Sequence, residues 1–330
     1  MANKKTTKIT AAIIGGNSLI GRELTELADG KGVHFDLIDG DLTGGTLALD
    51  ETEALYLAPI TEESLKPARA IFLAGKPESH VKARSLAPAE SPVIDLTGAL
   101  EDQPEARLRA PLVEKERPPL VRLSVIAHPA AIALTQLLRI LEEAGTIGRT
   151  IAVIHEPASE RGTAGIGELD KQTRGLLALR PLPKTVFDEQ LAFNLLPQYG
   201  AEAVVKLEDI ELRIERHLAS LLAATPSIPM PSIRLVQAPV FHGYSFSIWT
   251  EFEASANVKE LVRVLKAAGV DVRDSDTQPP SNVGTAQQSG LTVGAIRVDR
   301  NNSKAVWLWM VCDNLRVLAE NALAVAQEAF

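Results

Sequence analysis

The chain has a single cysteine, Cys312, among 330 residues. No intrachain disulfide is open to it, and a reducing, cytoplasmic setting is expected. It also lacks any extended basic run, and its formal net charge is -8. Nucleic acid is therefore not an expected partner. Long apolar runs are missing too. Stretches such as "LTQLL" and "VWLWMV" fall far short of the roughly 18 residues a membrane-spanning helix needs, so no membrane association is expected. The opening "MANKKTTKIT" is basic, but a strand follows it rather than an apolar segment with a cleavage site. No signal peptide is expected. What remains is globular composition, 45% hydrophobic and 23% charged, enough for one large or two ordinary domains.

The first third alternates strand and helix patterns. "KITAAIIG" reads as a buried strand, and "SLIGRELTELADG" as a helix stopped by Gly30. "VHFDLID", "EALYLAP", "ARAIFLAG", "SPVIDLTG" and "LVRLSVIA" read as further strands. Strands separated by short helices predict a parallel, doubly wound sheet of Rossmann type. "EDQPEARLRAPLVEKERPP" is Pro-rich and charged, and reads as a surface loop. After Pro129 the pattern changes. "AAIALTQLLRILEEAG" reads as an amphipathic helix, and residues 201–222 as a long helix with Ala203, Leu207, Ile210, Ile214, Leu218 and Leu221 on one face. "GYSFSIWTEFEA" alternates, with Tyr244, Phe246, Ile248 and Phe252 on one side, which predicts a half-buried strand of a mixed or antiparallel sheet. "TIAVIHEP", "GLTVGAIRVD" and "KAVWLWMVCD" add strands, and a closing helix follows. "RDSDTQPPSNVGTAQQSG" reads as a long loop.

Two local patterns bear on chemistry. "IIGGNSLIG" sets Gly15, Ser18 and Gly21 between strand and helix. Small residues there let backbone approach a pyrophosphate at a helix N-terminus. Ser18 stands where that pattern usually has glycine, and the same turn also serves without a ligand. The second strand ends "FDLIDGD". An acid at that end accepts from the ribose hydroxyls of NAD and repels the extra phosphate of NADP. Asp39 lies nearest the strand end, although Asp36, Asp39 and Asp41 also fit as solvated loop acids.

The order of these elements resembles the aspartate-semialdehyde dehydrogenase family over nearly the full length. "IIGGNSLIGREL" is similar to that family's glycine loop, "AIFLAG" to its cofactor-side strand and "VIDLTGA" to its Asp-Asn-Ser segment. "AFNLLPQ" and "DNLRVLAENA" resemble two further stretches of it. The resemblance implies a dinucleotide-binding domain over residues 1–128 and 314–330, and a dimerisation and substrate domain over residues 129–313. It implies cofactor contacts at Gly15, Asn17, Ser18, Leu19 and Ile20, with Asp39, Gly75 and Asn314. It also implies a homodimer and no metal.

The same resemblance exposes what is missing. The family reduces an acyl phosphate to a semialdehyde, or the reverse, through a cysteine placed after an Asn-Pro turn. The matching stretch here is "AHPAAIAL", with Ala131 at the cysteine position and His128 at the asparagine. "HEPASERGTAG" puts His155 and Glu156 where the family has Tyr-Gln. "QAPV" puts Gln237 at its substrate-binding arginine, and "GYS" puts Tyr244 at its histidine base. Alanine forms no thioester, tyrosine is a poor base near neutral pH, and glutamine has no charge for a carboxylate. Cys312 sits in an apolar strand and reads as structural. Glu211 lies near where the family grips its substrate's amino group, and reads equally as a solvated helix acid. The expectation is a catalytically inactive relative that keeps NAD binding, weakly if at all. The alternative is an enzyme with a repurposed cleft around His128, Glu156, His242 and Tyr244.

Overall fold

The computed structural model describes residues 9–29, 33–39, 46–49, 54–115, 119, 121–274 and 276–329. Gly30 and Asp41 lie outside the described residues. The chain forms two compact units, Met1–Ala127 with Leu318–Phe330, and His128–Val317.

The first unit runs β1 (Ile9–Ile14), α1 (Leu19–Ala28), β2 (Val33–Asp39), β3 (Thr46–Leu49), β4 (Ala54–Pro59), α2 (Glu62–Leu65), β5 (Ile71–Leu73), α3 (Pro77–Leu86), β6 (Val93–Asp95), β7 (Ala106–Arg109) and β8 (Leu123–Ile126). Its sheet has the order β3-β4-β2-β1-β5-β6-β8-β7. The pairings are parallel except β3 with β4. Unbroken apolar runs such as Ala11–Ile14 and Ile71–Leu73 are fully buried, as strands of a parallel sheet covered on both faces require. The strand order reverses between β1 and β5. Such a point is where α/β sheets place their ligands.

Gly15 and Gly75 follow those two strands. Gly15 has φ +80°, and a Cβ built on it would lie 2.4 Å from the Gly75 Cα. No side chain fits there, and left-handed backbone favours glycine in any case. Ser18 caps α1, its hydroxyl accepting from the Gly21 amide at 3.1 Å. The serine in the glycine pattern therefore completes the helix start.

One expectation fails here. The charged segment read as a surface loop contains β7, which pairs with β8. It enters the sheet because Arg109, 1% exposed, is neutralised by Glu114 at 3.0 Å and Glu328 at 2.8 Å.

The second unit runs α4 (Pro129–Glu142), β9 (Ile147–Glu156), a 3-10 turn (Ala158–Arg161), α5 (Gly162–Leu177), α6 (Leu207–Leu222), β10 (Ser232–Gln237), β11 (Tyr244–Phe252), α7 (Val258–Ala267), β12 (Asp271–Val272), α8 (Asn282–Thr285), β13 (Thr292–Val298), β14 (Ala305–Cys312) and the start of α9 (Asn314–Gln327). Its mixed sheet has the order β10-β9-β11-β14-β13-β12. The alternation along β11 is realised, with Tyr244, Phe246, Ile248 and Phe252 all buried.

The long helix starts at Leu207, later than its apolar pattern suggests. Glu208 and Asp209 fill its first turn, where acids suit the helix dipole. Upstream, the Glu202 amide is held by the Asp188 carboxylate at 2.9 Å in a non-helical turn. The long polar loop after β12 also carries structure. Asn282, at the start of α8, donates to the Gly243 carbonyl at 2.6 Å and accepts from Ser245 at 2.8 Å. That ties the loop to the beginning of β11.

Candidate functional site

Three strands of the second sheet bring the altered positions together. Gln237 closes β10 in register with Glu156, which closes β9. Tyr244 opens β11, whose next residue, Ser245, pairs with His155. Side chains alternate across a strand, so Glu156, Gln237 and Tyr244 point to one face while His155 points to the other. There His155 lies against Trp309, with ring centroids 5.6 Å apart. Glu156, Gln237 and Tyr244 are all fully buried.

Their polar atoms bond to one another. The Tyr199 hydroxyl stands 2.6 Å from Oε1 of Gln237 and 3.2 Å from Oε1 of Glu156. Gln237 donates through Nε2 to the Glu156 carbonyl at 2.8 Å. The Tyr244 hydroxyl approaches Oε2 of Glu156 at 3.4 Å. Arg161, from the 3-10 turn, donates Nη2 to Oε1 of Glu156 at 3.2 Å. Burial raises the Glu156 carboxyl to about pH 7, although Arg161 opposes that rise. Burial raises Glu160 as well, against Arg161 and Asn314. Burial works against the Arg161 charge, but Glu156 leads the groups that outweigh it and hold the guanidinium protonated. Tyr199 and Tyr244 are both pushed up, first by burial and then by the neighbouring carboxylates. Tyr244 therefore keeps its proton and serves as a hydroxyl, not as a base.

Ala131 occupies the third position of α4 and is fully buried. His128 caps that helix, its ring accepting from the Ala130 amide at 3.3 Å, while its own amide donates to Nδ1 of His217 at 2.8 Å. Its Nε2 lies 4.0 Å from Glu160. Burial, then Arg213, His217 and Arg161, hold the His128 pKa well below the ordinary imidazole value. This histidine is neutral, and its work is to start the helix. Asn314 bonds within the same unit, donating to Glu160 at 2.7 Å and accepting from the Gly243 amide at 3.0 Å. Asn314 lies within the second unit, His128–Val317.

Two expected residues stand outside the cluster. Glu211 accepts from the Leu235 amide at 2.5 Å and from Arg234 at 3.4 Å. It caps the exposed edge of β10. His242 is joined to Asn282 through its carbonyl. Cys312 is fully buried, and burial, then Asp313 and Glu160, push its thiol far above the usual range. Glu160, Arg161, Tyr199 and His217 were not singled out from sequence. The signal available was an acid beside a base inside the glycine-containing "ERGTAG".

The described residues hold no group of three or more His, Cys, Asp or Glu able to bind a metal. Asn17 is exposed beside the capped start of α1, and Gly15 and Gly75 meet backbone to backbone. Gly75 also donates its amide to Nε2 of buried His80 at 3.1 Å. Asp39 closes β2, and the residues following it lie outside the described set.

Comparison with known proteins matches residues 137–317 to the semialdehyde dehydrogenase dimerisation domain. The chain belongs to the semialdehyde dehydrogenase family. It is 29% identical to the USG-1 protein homolog of Pseudomonas aeruginosa over 93% of each chain. It is 28% identical to the aspartate-semialdehyde dehydrogenase of Aquifex aeolicus over 96% of each. A solved structure of a probable aspartate-semialdehyde dehydrogenase from Pseudomonas aeruginosa superposes with TM-score 0.81, at 27% identity and 97% coverage of both chains. The family's α/β fold and its mixed second sheet are therefore those of this chain.

Proposed function

We propose that this family member does not carry out thioester-forming dehydrogenase chemistry. The observation that carries this reading is Ala131 in the first turn of α4, with the chain's one cysteine sealed in β14. The positions of the expected base and carboxylate-binding arginine hold Tyr244 and Gln237. Both are engaged with Glu156 or Tyr199. The glycine turn after β1 remains suited to a dinucleotide, which would bring hydride chemistry. NAD is favoured over NADP because Asp39 ends β2 and no Arg or Lys occurs in "FDLIDGD". Ser18, spent on capping α1, gives that binding modest strength.

The protein pairs as a homodimer through its second unit. The match to a dimerisation domain supports this, as do exposed apolar side chains such as Ile151 at 44%, Phe193 at 67% and Leu195 at 58%. Calorimetric titration with NAD and NADP tests the cofactor reading. Tighter binding of NADP contradicts it. Light scattering that returns a monomer at micromolar concentration contradicts the dimer.

A second reading, an enzyme with a repurposed site, is favoured by the Glu156 carboxyl at about pH 7. A group that gains and loses a proton near neutrality suits acid–base work. Its partners would be Tyr244 and the neutral His128.

A further inference from the structure

Arg161 bonds to the buried Glu156 carboxylate through only half of its bonding edge. The Nε and Nη2 atoms of a guanidinium lie on one side and match the two oxygens of a carboxylate. Here Nη2 donates to Oε1 of Glu156 at 3.2 Å. Nε is buried with no hydrogen-bond partner. The second Glu156 oxygen turns away toward Tyr244 at 3.4 Å. A buried donor left unsatisfied is uncommon and calls for an explanation.

The two side chains also differ in access. Glu156 is sealed at 0% exposed, while Arg161 retains 16%. The Arg161 side chain is therefore the more accessible of the pair.

We propose that Arg161 is a binding site for a small external carboxylate, and that the Glu156 side chain occupies it as a tethered competitor. The external group takes both Nε and Nη2, and Glu156 withdraws onto Tyr199 and Tyr244.

Charge decides when this exchange occurs. Glu156 faces Glu160 and Arg161 from the 3-10 turn, Tyr199 from the loop before α6, Gln237 from β10 and Tyr244 from β11. Behind Glu160 stand Arg213 of α6, Asn314 and the neutral His128. With Glu156 ionised, a second carboxylate would meet an anion already bound to Arg161. When Glu156 takes a proton from solvent, one positive charge is released for the incoming carboxylate. Its neutral carboxyl can then donate to a tyrosine oxygen. Each carboxylate bound above neutral pH thus carries one proton into the protein. The raised Glu156 carboxyl makes that uptake accessible near neutrality.

The proposal does not depend on whether the chain turns over a semialdehyde, so each can fail alone. The test is calorimetric titration of the full chain with L-lactate at about pH 6 and pH 8, in buffers of different ionisation heat. Lactate is ionised at both. Binding should be at least ~10-fold tighter at the lower pH, with uptake of about one proton per bound anion at the higher. Glu156→Gln should bind lactate equally at both pH values and exceed wild type ~10-fold at the higher. Arg161→Lys should weaken binding throughout, because an ammonium cannot form the two-point contact. Equal wild-type affinity at the two pH values, or no proton uptake, overturns the proposal. So does failure of wild type to bind lactate at the lower pH. The wild-type measurements decide the matter even if neither variant folds.

Discussion

The hydroxyl of Tyr199 stands 2.6 Å from Oε1 of Gln237, both buried on one face of the second sheet. That hydroxyl has one proton, yet Oε1 of Glu156 also lies 3.2 Å from it. A protonated Glu156 resolves the conflict by becoming a donor itself. The folded-state carboxyl, raised by burial to about pH 7, lies above its unfolded value of 4.5. Its stabilising contribution is then fully present below pH 4.5 and is lost as pH rises through about 7. The loss is of order 3 kcal/mol. Chemical denaturation from pH 5 to 8.5 should show wild type losing stability relative to Glu156→Gln as pH rises, because the buried histidines His80, His128 and His155 act alike in both chains. A stability difference between the two that does not change with pH would refute the assignment.

Cys312 should be unreactive in the native protein. It is fully buried in β14, and its thiol is held far above the usual range. Only thiolate reacts quickly with disulfide reagents. Titration with such a reagent should find no thiol before unfolding and one after it. Rapid labelling of the native chain would mean that β14 opens.

Gly15→Ala should destabilise the first unit by more than about 2 kcal/mol. Two causes add: the backbone at φ +80° and a Cβ 2.4 Å from the Gly75 backbone. A denaturation midpoint equal to that of wild type would show that the two turns can separate without cost.

Arg109→Met should cost about 3 kcal/mol, because it leaves Glu114 and Glu328 without their shared cation in a mostly buried place. Thermal unfolding should register the loss. A midpoint equal to that of wild type would show that this pairing does not hold β7 in the sheet.

Much of this architecture is legible in sequence. The apolar runs Ala11–Ile14 of β1 and Ile71–Leu73 of β5 announce a parallel sheet, and the alternation of β11 announces a one-sided strand. β7 escaped because its residues look solvated. Glu114 and the long-range partner Glu328 together make Arg109 tolerable inside. In the site, Ala131, Glu156, Gln237 and Tyr244 were identified by position. Their mutual bonding was not, because Tyr199 and Arg161 reach them from turns that no periodicity marks. Glu211, which reads from sequence either as a substrate contact or as a solvated helix acid, holds the Leu235 amide of β10. Ser18 stands where a phosphate loop usually has glycine, and the structure makes it a helix cap.

The central claim is that thioester chemistry is absent, and one assay tests it most directly. Phosphate-dependent NAD(P)H formation from aspartate semialdehyde is measured on wild type and on Ala131→Cys. Neither should turn over. The restored thiol would stand in a buried helix turn, with Tyr244 held protonated and Gln237 uncharged. Members of a catalytic unit recover little when one is returned alone. Turnover by wild type in the ~1–1000 per second range usual for enzymes would contradict the claim outright. Turnover in that range by Ala131→Cys alone would contradict the reading of the other three positions.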